Sequence, residues 1–300
     1  MKADIYQRIT DQIVAQLEQG ARPWMQPWSA GRDGARILRP LRHNGQPYNG
    51  INVVMLWSAA QEKGFASPIW MTFKQAQEFK AHVRKGEQGS LVVYADRIIR
   101  TEADADTGEE NEFSIPFMKG YTVFNVEQID GLPERFRAKP EVRTAPMERI
   151  ESADGFFAAT GADIVHGGSK AYYLPSRDSI HMPCIDCFRD AESYYATLAH
   201  EVTHWTSHTS RLNREFGRKR WGDEGYAMEE LVAELGAAFL SADLDLTPEL
   251  RADHAAYIAS WIKVLKNDKR AIFAAASHAQ RAVDFLSGAR TVGDKQEEAA

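Results

Sequence analysis

Residues 198–205 read LAHEVTHW, in which His200, Glu201 and His204 form H-E-x-x-H. The apolar positions around them, Tyr194, Tyr195, Leu198, Val202 and Trp205, recur at helical spacing, so the motif is expected on a helix. On a helix, residues four apart share a face, and both imidazoles can then meet one metal ion about 2 Å from each ring nitrogen. Glu201 stands beside a water on such an ion, which makes it the expected general base of a zinc metallopeptidase. The alternative is a surface helix carrying a chance match, and the apolar frame around the motif favours the metal site. Zinc is the expected ion, with manganese as the alternative.

Two histidines leave such a site one protein ligand short. His208 continues the series but lies two turns from His200, too far along the helix for one ion to reach all three. The metzincin spacing, with a glycine three and a histidine six residues after the second histidine, is absent. The better source is YAMEELVAELGAAFL, residues 226–240, whose apolar face is Met228, Leu231, Val232, Leu235 and Phe239. Glu229 borders that face beside Ala233 and Gly236, small residues over which another helix can approach closely. Glu230 points away from it, yet E-x-x-A-E over 230–234 resembles the gluzincin pattern of a ligand followed four residues later by a supporting carboxylate. Glu229 is therefore favoured narrowly over Glu230 and Glu234, and any of the three could instead belong to a solvated helix face. Tyr226 is the candidate for stabilising an oxyanion. Cys184 and Cys187 form a single C-x-x-C with no thioredoxin-like pattern around it, and read as incidental thiols.

The elements that must position these groups are legible as an α+β chain. Asp4 and Gln7 have capping-box spacing, Ile5, Ile9, Ile13 and Leu17 recur every four residues, and Gly20 stops the helix they predict. Pro23 and Pro27 bracket a stiff turn, followed by a Gly/Arg-rich stretch from Gly31 to Arg42. Helices are expected over 51–60 and 73–80, and then a long hairpin from LVVY (91–94) and RIIR (97–100), through an acidic loop, to FSIPFMKGYTVFNV. An N-terminal α+β domain with this hairpin is expected over 1–132, and a Pro/Arg/Glu-rich linker over 133–147. A mainly helical domain with a small sheet follows over 148–288. Its strands are expected at 162–166, 171–174 and 179–182, and its helices at 189–207, 226–242, 249–266 and 270–287. The last residues, 289–300, form a fraying tail.

Composition narrows the partners. At 44% hydrophobic residues and a net charge of −6 over 300 residues, intrinsic disorder is excluded for most of the chain. The longest nearly apolar run, Ile51–Trp57, is far short of the roughly 20 residues a membrane-spanning helix needs. The opening MKADIYQRIT has no apolar core for a secretory signal and two cysteines cannot build a disulfide framework, so a reducing, cytoplasmic setting is expected. The charge is uneven: residues 1–100 carry 14 Lys/Arg against 8 Asp/Glu, whereas residues 101–135 carry 2 against 9. The basic third also holds Trp24, Trp28, Trp57 and Trp70, and basic charge interleaved with aromatics suits single-stranded nucleic acid. An ordinary core under a solvated surface would give the same composition.

The runs DIYQRITDQIVAQLEQGARPWMQPW, YNGINVVMLW, W-x-T-F-K-Q-A (70–76) and VRKGEQGS (83–90) together resemble the N-terminal domain of the ArdC antirestriction proteins, a domain also found in TraC-type plasmid primases. HEVTHWTSHTSRLNR and EELVAELGAAFL are similar to the zincin-like metallopeptidase domain that accompanies it. The resemblance implies a plasmid-encoded antirestriction protein that binds single-stranded DNA and protects incoming DNA during conjugation. It further implies a protease domain similar to Spartan-type DNA-dependent proteases, acting on a DNA-bound or restriction-system protein. One departure is that Spartan-type sites are completed by a third histidine, which has no counterpart placed here. For the N-terminal domain the candidate DNA contacts are Trp24, Trp28, Tyr48, Trp70 and Phe73 for base stacking, and Arg84 and Lys85 for phosphates. Trp57 falls instead in an apolar run and is expected in the core. The competing function is a non-catalytic protein that coats single strands and uses its metal structurally; an open coordination sphere of three protein ligands distinguishes the first from the second.

Overall fold

The computed structural model describes residues 4–24, 38–103, 110–136, 146–217, 223–246 and 254–288. The N-terminal half runs α1 (Ile5–Glu18), β1 (Leu41–Arg42), α2 (Ile51–Lys63), β2 (Ile69–Thr72), α3 (Phe73–Glu78), β3 (His82–Val83), β4 (Ser90–Ala103), β5 (Glu110–Asn125) and β6 (Ile129–Asp130). The C-terminal half runs α4 (Pro146–Ala159), β7 (Asp163–His166), β8 (Tyr172–Leu174), β9 (Ser179–Met182), α5 (Ala191–Trp205), α6 (Glu224–Asp243), α7 (His254–Asn267) and α8 (Ala271–Leu286). This is the expected α+β class. Among the described residues no helix is long and apolar enough to cross a membrane.

Local chemistry explains most boundaries. The Asp4 carboxylate caps α1 by accepting from the Tyr6 amide, while Gln7 donates to Asp11 rather than closing a reciprocal box. Gly64 ends α2 in the left-handed region at φ 73°. Thr72 and Gln75 form a full capping box on α3. β4 and β5 pair antiparallel from Ser90↔Val123 to Ala103↔Glu110, so LVVY and RIIR belong to one continuous strand of the expected hairpin. The main sheet has the order β1-β2-β5-β4, and β7, β9 and β8 form a separate three-stranded sheet. The helix α4 was not expected: it begins at Pro146, inside the stretch read as a linker, where proline's fixed φ suits a first helical turn. Residues 137–145 of that stretch, the tail 289–300 and Trp28 lie outside the described residues.

One apolar core runs through both halves. It joins α1 and α2 to α5, α6, α7 and α8, with Trp57 packed 5.7 Å from Phe239 and Trp24 edge-on to Trp261 at 6.2 Å. Arg39 bridges the halves from a buried position: its guanidinium lies 4.8 Å over the Phe239 ring and bonds to Asp243 and Gln280. Burying a large apolar side chain is worth about 1.5–3 kcal/mol, so Trp24, Trp57, Trp70 and Trp261, fully buried among the described residues, weigh heavily in this core.

The crossing of α5 and α6 is the tightest contact that matters for the site. A Cβ on Gly236 would stand 2.5 Å from Thr203 Cγ2 and 2.7 Å from its Oγ1, and that hydroxyl is held by donation to the Ala199 carbonyl at 2.7 Å. Gly236→Ala should therefore lower stability by about 1–3 kcal/mol through overpacking, although alanine is the better helix former. Urea unfolding measures this, and Thr203→Ser in the same background, which removes Cγ2, should recover part of the loss. A Gly236→Ala protein as stable as the parent would show that the helices can separate freely at this point.

Candidate metal centre

The helix α5 carries H-E-x-x-H as its sequence pattern requires. Asp190 caps it by accepting from the Ser193 amide at 2.7 Å, and nearly every α5 residue from Ser193 to Trp205 is buried. His200 and Glu201 are among them, and His204 is nearly so. The Nε2 atoms of His200 and His204 lie 3.2 Å apart. α6 crosses above them and brings Glu230, whose Oε2 is 3.6 Å from His200 Nε2 and whose Oε1 is 3.5 Å from His204 Nε2. These three residues each present a donor atom within 4.8 Å of the others, an arrangement able to hold a metal ion. Ligands about 2 Å from one tetrahedral centre should stand roughly 3.3 Å apart, so the separations and the donor set fit a divalent ion.

Glu229, favoured on the sequence, occupies a different place. Its Oε1 lies 3.1 Å from His204 Nδ1, on the far side of that ring from Glu230. The buried Arg214 guanidinium clamps it, with Nε to Oε2 at 2.8 Å and Nη2 to Oε1 at 2.7 Å. The difference has a simple cause: α6 approaches so that Glu230 meets the Nε2 atoms of both imidazoles, whereas Glu229 meets only the Nδ1 edge of His204. Glu229 is instead placed to accept from His204 Nδ1, an arrangement that would leave Nε2 able to bind an ion. Glu234 is one turn beyond Glu230, with Oε2 3.9 Å from His200 Nδ1. Tyr226 hydrogen-bonds Glu230 and its hydroxyl lies 3.0 Å from that of Tyr257. His208 sits past the end of α5, engaged with Ser210. Cys184 and Cys187 are exposed around the single turn Ile185–Cys187.

The electrostatics follow from burial against charge. Burial opposes ionisation of Glu230, but His204, then His200 and the Tyr226 hydroxyl, outweigh it and hold the carboxyl down at about 2. Burial works the same way on Glu229, and the Arg214 fork and His204 hold that carboxyl below its ordinary value. On His204 burial disfavours the charged ring, yet Glu230, Glu229 and Glu201 raise its pKa overall. Burial, then the Tyr257 hydroxyl and Glu230, push the Tyr226 phenol up, so it remains a hydrogen-bond donor. A pair of enclosed imidazoles ringed by carboxylates is an environment suited to a cation.

Comparison with known proteins agrees with both halves. Residues 3–124 match the family described as the N-terminal domain of anti-restriction factor ArdC, and residues 151–278 match the zincin-like metallopeptidase family. Protein y4eC of Sinorhizobium fredii is 45% identical over 299 residues, covering 98% of this chain and 95% of that one. The crystal structure of the antirestriction ArdC protein from plasmid R388 superposes in its metal-free form with a TM-score of 0.79 at 50% identity, covering 95% of this chain and 97% of that one. Its Mn(II)-bound form gives 0.76 at 47% identity, covering 95% and 98%. The chain belongs to the ArdC family. The DNA primase TraC of Escherichia coli is 39% identical across 95% of this chain, which spans only 27% of that primase.

Within the segment shared with the ArdC N-terminal model, several expected DNA contacts are core residues. Trp24 is 0% exposed, Trp70 1% and Tyr48 7%, so none of the three offers a ring face to a base in this conformation. Trp57 is buried as expected. Phe73 is 49% exposed, and Arg84 and Lys85 are exposed, with Arg84 paired to Glu87 and Asp130. Sequence reasoning missed Arg214 altogether. The signal was a buried-side carboxylate needing a countercharge, but Arg211 and Arg214 follow the motif almost equally closely, and only the fold separates them: Arg211 turns to Asp178 and the Trp205 ring.

Removing the clamp tests its weight. Arg214→Met leaves the enclosed Glu229 carboxylate without its guanidinium and should cost about 3–5 kcal/mol. Glu229→Gln in the same background should recover part of that, because the neutral amide needs no countercharge. Thermal unfolding of the two variants measures both, and an unshifted melting temperature in Arg214→Met would show that the pair carries little stability.

Proposed function

We propose that this chain is a plasmid antirestriction protein whose N-terminal half binds single-stranded DNA and whose C-terminal half is a metal-dependent peptidase acting on a protein near that DNA, protecting incoming DNA during conjugation. The observation that carries the reading is the convergence of His200, His204 and Glu230 beside the buried Glu201, in a chain of the ArdC family. His200, His204 and Glu230 would hold the ion, with zinc favoured by the two-imidazole, one-carboxylate set and manganese the alternative. A divalent ion bound there would lower the pKa of a water and polarise a substrate carbonyl. Glu201 takes the proton from the attacking water and passes it to the leaving amine. Tyr226, kept protonated, donates to the oxygen that gains charge. Glu229 and Arg214 keep His204 in the tautomer that presents Nε2. For single strands, Phe73 is an exposed ring suited to stacking, and Lys85, with Arg84, suits phosphates.

Two measurements test the halves separately. Glu201→Gln should retain metal and single-strand affinity while cleavage of a DNA-bound protein, or self-cleavage, falls about 10²–10⁴-fold. Metal-dependent cleavage that is absent from wild type, with plasmid transfer still protected in both proteins, would favour a strand-coating protein with a structural metal. Binding of an unstructured oligonucleotide should weaken as salt rises. Phe73→Ala should cost about 1–3 kcal/mol of affinity and Lys85→Ala should flatten the salt dependence by about 0.7 in log–log slope. Unchanged affinity and slope in both variants would move the DNA surface elsewhere.

A further inference from the structure

The two imidazoles of the centre differ in how their second ring nitrogen is met. His204 leans on Glu229, which Arg214 clamps from within the C-terminal half. For His200 the corresponding atom is Nδ1, which is buried and has no hydrogen-bond partner. Glu234 Oε2 stands 3.9 Å away, about 1 Å longer than an ordinary N–H···O hydrogen bond. The other oxygen of Glu234 accepts from Arg22 Nη1 at 3.3 Å and from the Trp24 indole Nε1 at 3.4 Å. All four groups are enclosed: His200 is 5% exposed, Glu234 3%, Arg22 9% and Trp24 0%. The indole is fixed in turn by edge-on packing against Trp261.

We infer that Arg22 and Trp24 are positioning residues of the metal centre, acting on His200 through the carboxylate of Glu234. The inference rests on the metal-centre reading above. To bind an ion through Nε2, a neutral imidazole must carry its proton on Nδ1, and that proton needs an acceptor. Glu234 is a buried carboxylate beside that nitrogen, and its alignment is set by a guanidinium and an indole from more than 200 positions earlier in the chain. A small shift of Glu234 closes the bond and locks the ring; losing either donor lets the carboxylate turn away. The segment that leads from α1 toward the strands therefore contributes to metal affinity without touching the ion, and the zincin-like half is complete only with it.

The test uses full-length protein stripped of metal, with Zn²⁺ affinity read by competition against a chromophoric chelator and Co²⁺ coordination read from its visible absorption. Trp24→Phe, which keeps a ring but lacks the N–H, and Arg22→Met should each weaken Zn²⁺ binding about 10-fold or more and alter the Co²⁺ spectrum. Arg22→Lys should restore part of the affinity. Glu234→Gln should weaken binding similarly and make Trp24→Phe nearly silent when combined with it, since both act along one path. Melting of the metal-free proteins separates this from a loss of fold, and if Arg22→Met melts early, Trp24→Phe and Glu234→Gln decide. Wild-type affinity and spectrum in Trp24→Phe and Glu234→Gln would overturn the inference, as would full additivity of the two substitutions. If wild type itself binds no Zn²⁺, or Glu230→Ala binds it unchanged, the metal-centre reading fails instead.

Discussion

Placing four carboxylates in the enclosed space around α5 and α6 is the constraint to which much of the structure answers. Glu201, Glu230 and Glu234 are buried and Glu229 is nearly so. Such groups are tolerated in a core only when countercharges and hydrogen bonds meet them. Arg214 faces Glu229 from one side and Arg22 faces Glu234 from the other, each itself buried. The carboxylates outnumber these two guanidinium groups, and they crowd at the point where His200, His204 and Glu230 converge. Positive charge held there would offset the crowded carboxylates, so the arrangement makes electrostatic sense as a whole rather than residue by residue.

The same constraint explains why the halves share a core. If the C-terminal half stood alone, Glu234 would lose Arg22 and Trp24, and α6 would expose the surfaces that Trp57 and Arg39 now cover. Arg39 repeats the theme at the other end of α6. Burial pulls its pKa down while Asp243 and Asp284 push it back up, and its stack on Phe239 puts a cation into an otherwise apolar contact. α6 is thus one of the places where the halves meet, beside the packing of α1 on α7 and of α2 on α8: it carries the carboxylates of the candidate metal centre and also receives Trp24, Trp57 and Arg39.

How much was legible in the sequence depends on whether a feature is local. The H-E-x-x-H helix, the hairpin and the C-terminal helices announce themselves through spacing within one element, and the small residues Ala233 and Gly236 did mark where a second helix approaches. The choice between Glu229 and Glu230 is not local. A helical wheel orders positions around one axis but leaves open the direction from which α5 arrives, and a rotation of one residue exchanges a ligand position for a supporting one. The pattern E-x-x-A-E held the better clue, because it pairs position 230 with a carboxylate one turn later, and Glu234 does lie beside the second imidazole. Arg22 and Arg214 were invisible for the same reason: their partners are fixed only by the tertiary fold.

The tryptophans of the basic third show where composition misleads. Basic charge and aromatic rings in one stretch suggest a surface for bases, yet Trp24, Trp57 and Trp70 are spent on the core, where a large ring fills the gap between helices that smaller side chains would leave open. Trp24 shows why the two uses exclude each other, since its indole N–H is committed to Glu234 and its ring to Trp261. Among the described residues of this half, exposed rings that a ligand could reach are smaller and lie on or beside the main sheet: Phe73 at the start of α3, with Tyr94 and Tyr121 on the hairpin. Lys119 stands 5.1 Å over the Tyr121 ring, so charge and aromatic surface do meet in this half, but on the strands rather than at the tryptophans. In this segment the largest rings go to the core and to the buried carboxylates, because full burial of an indole removes a large apolar surface from water.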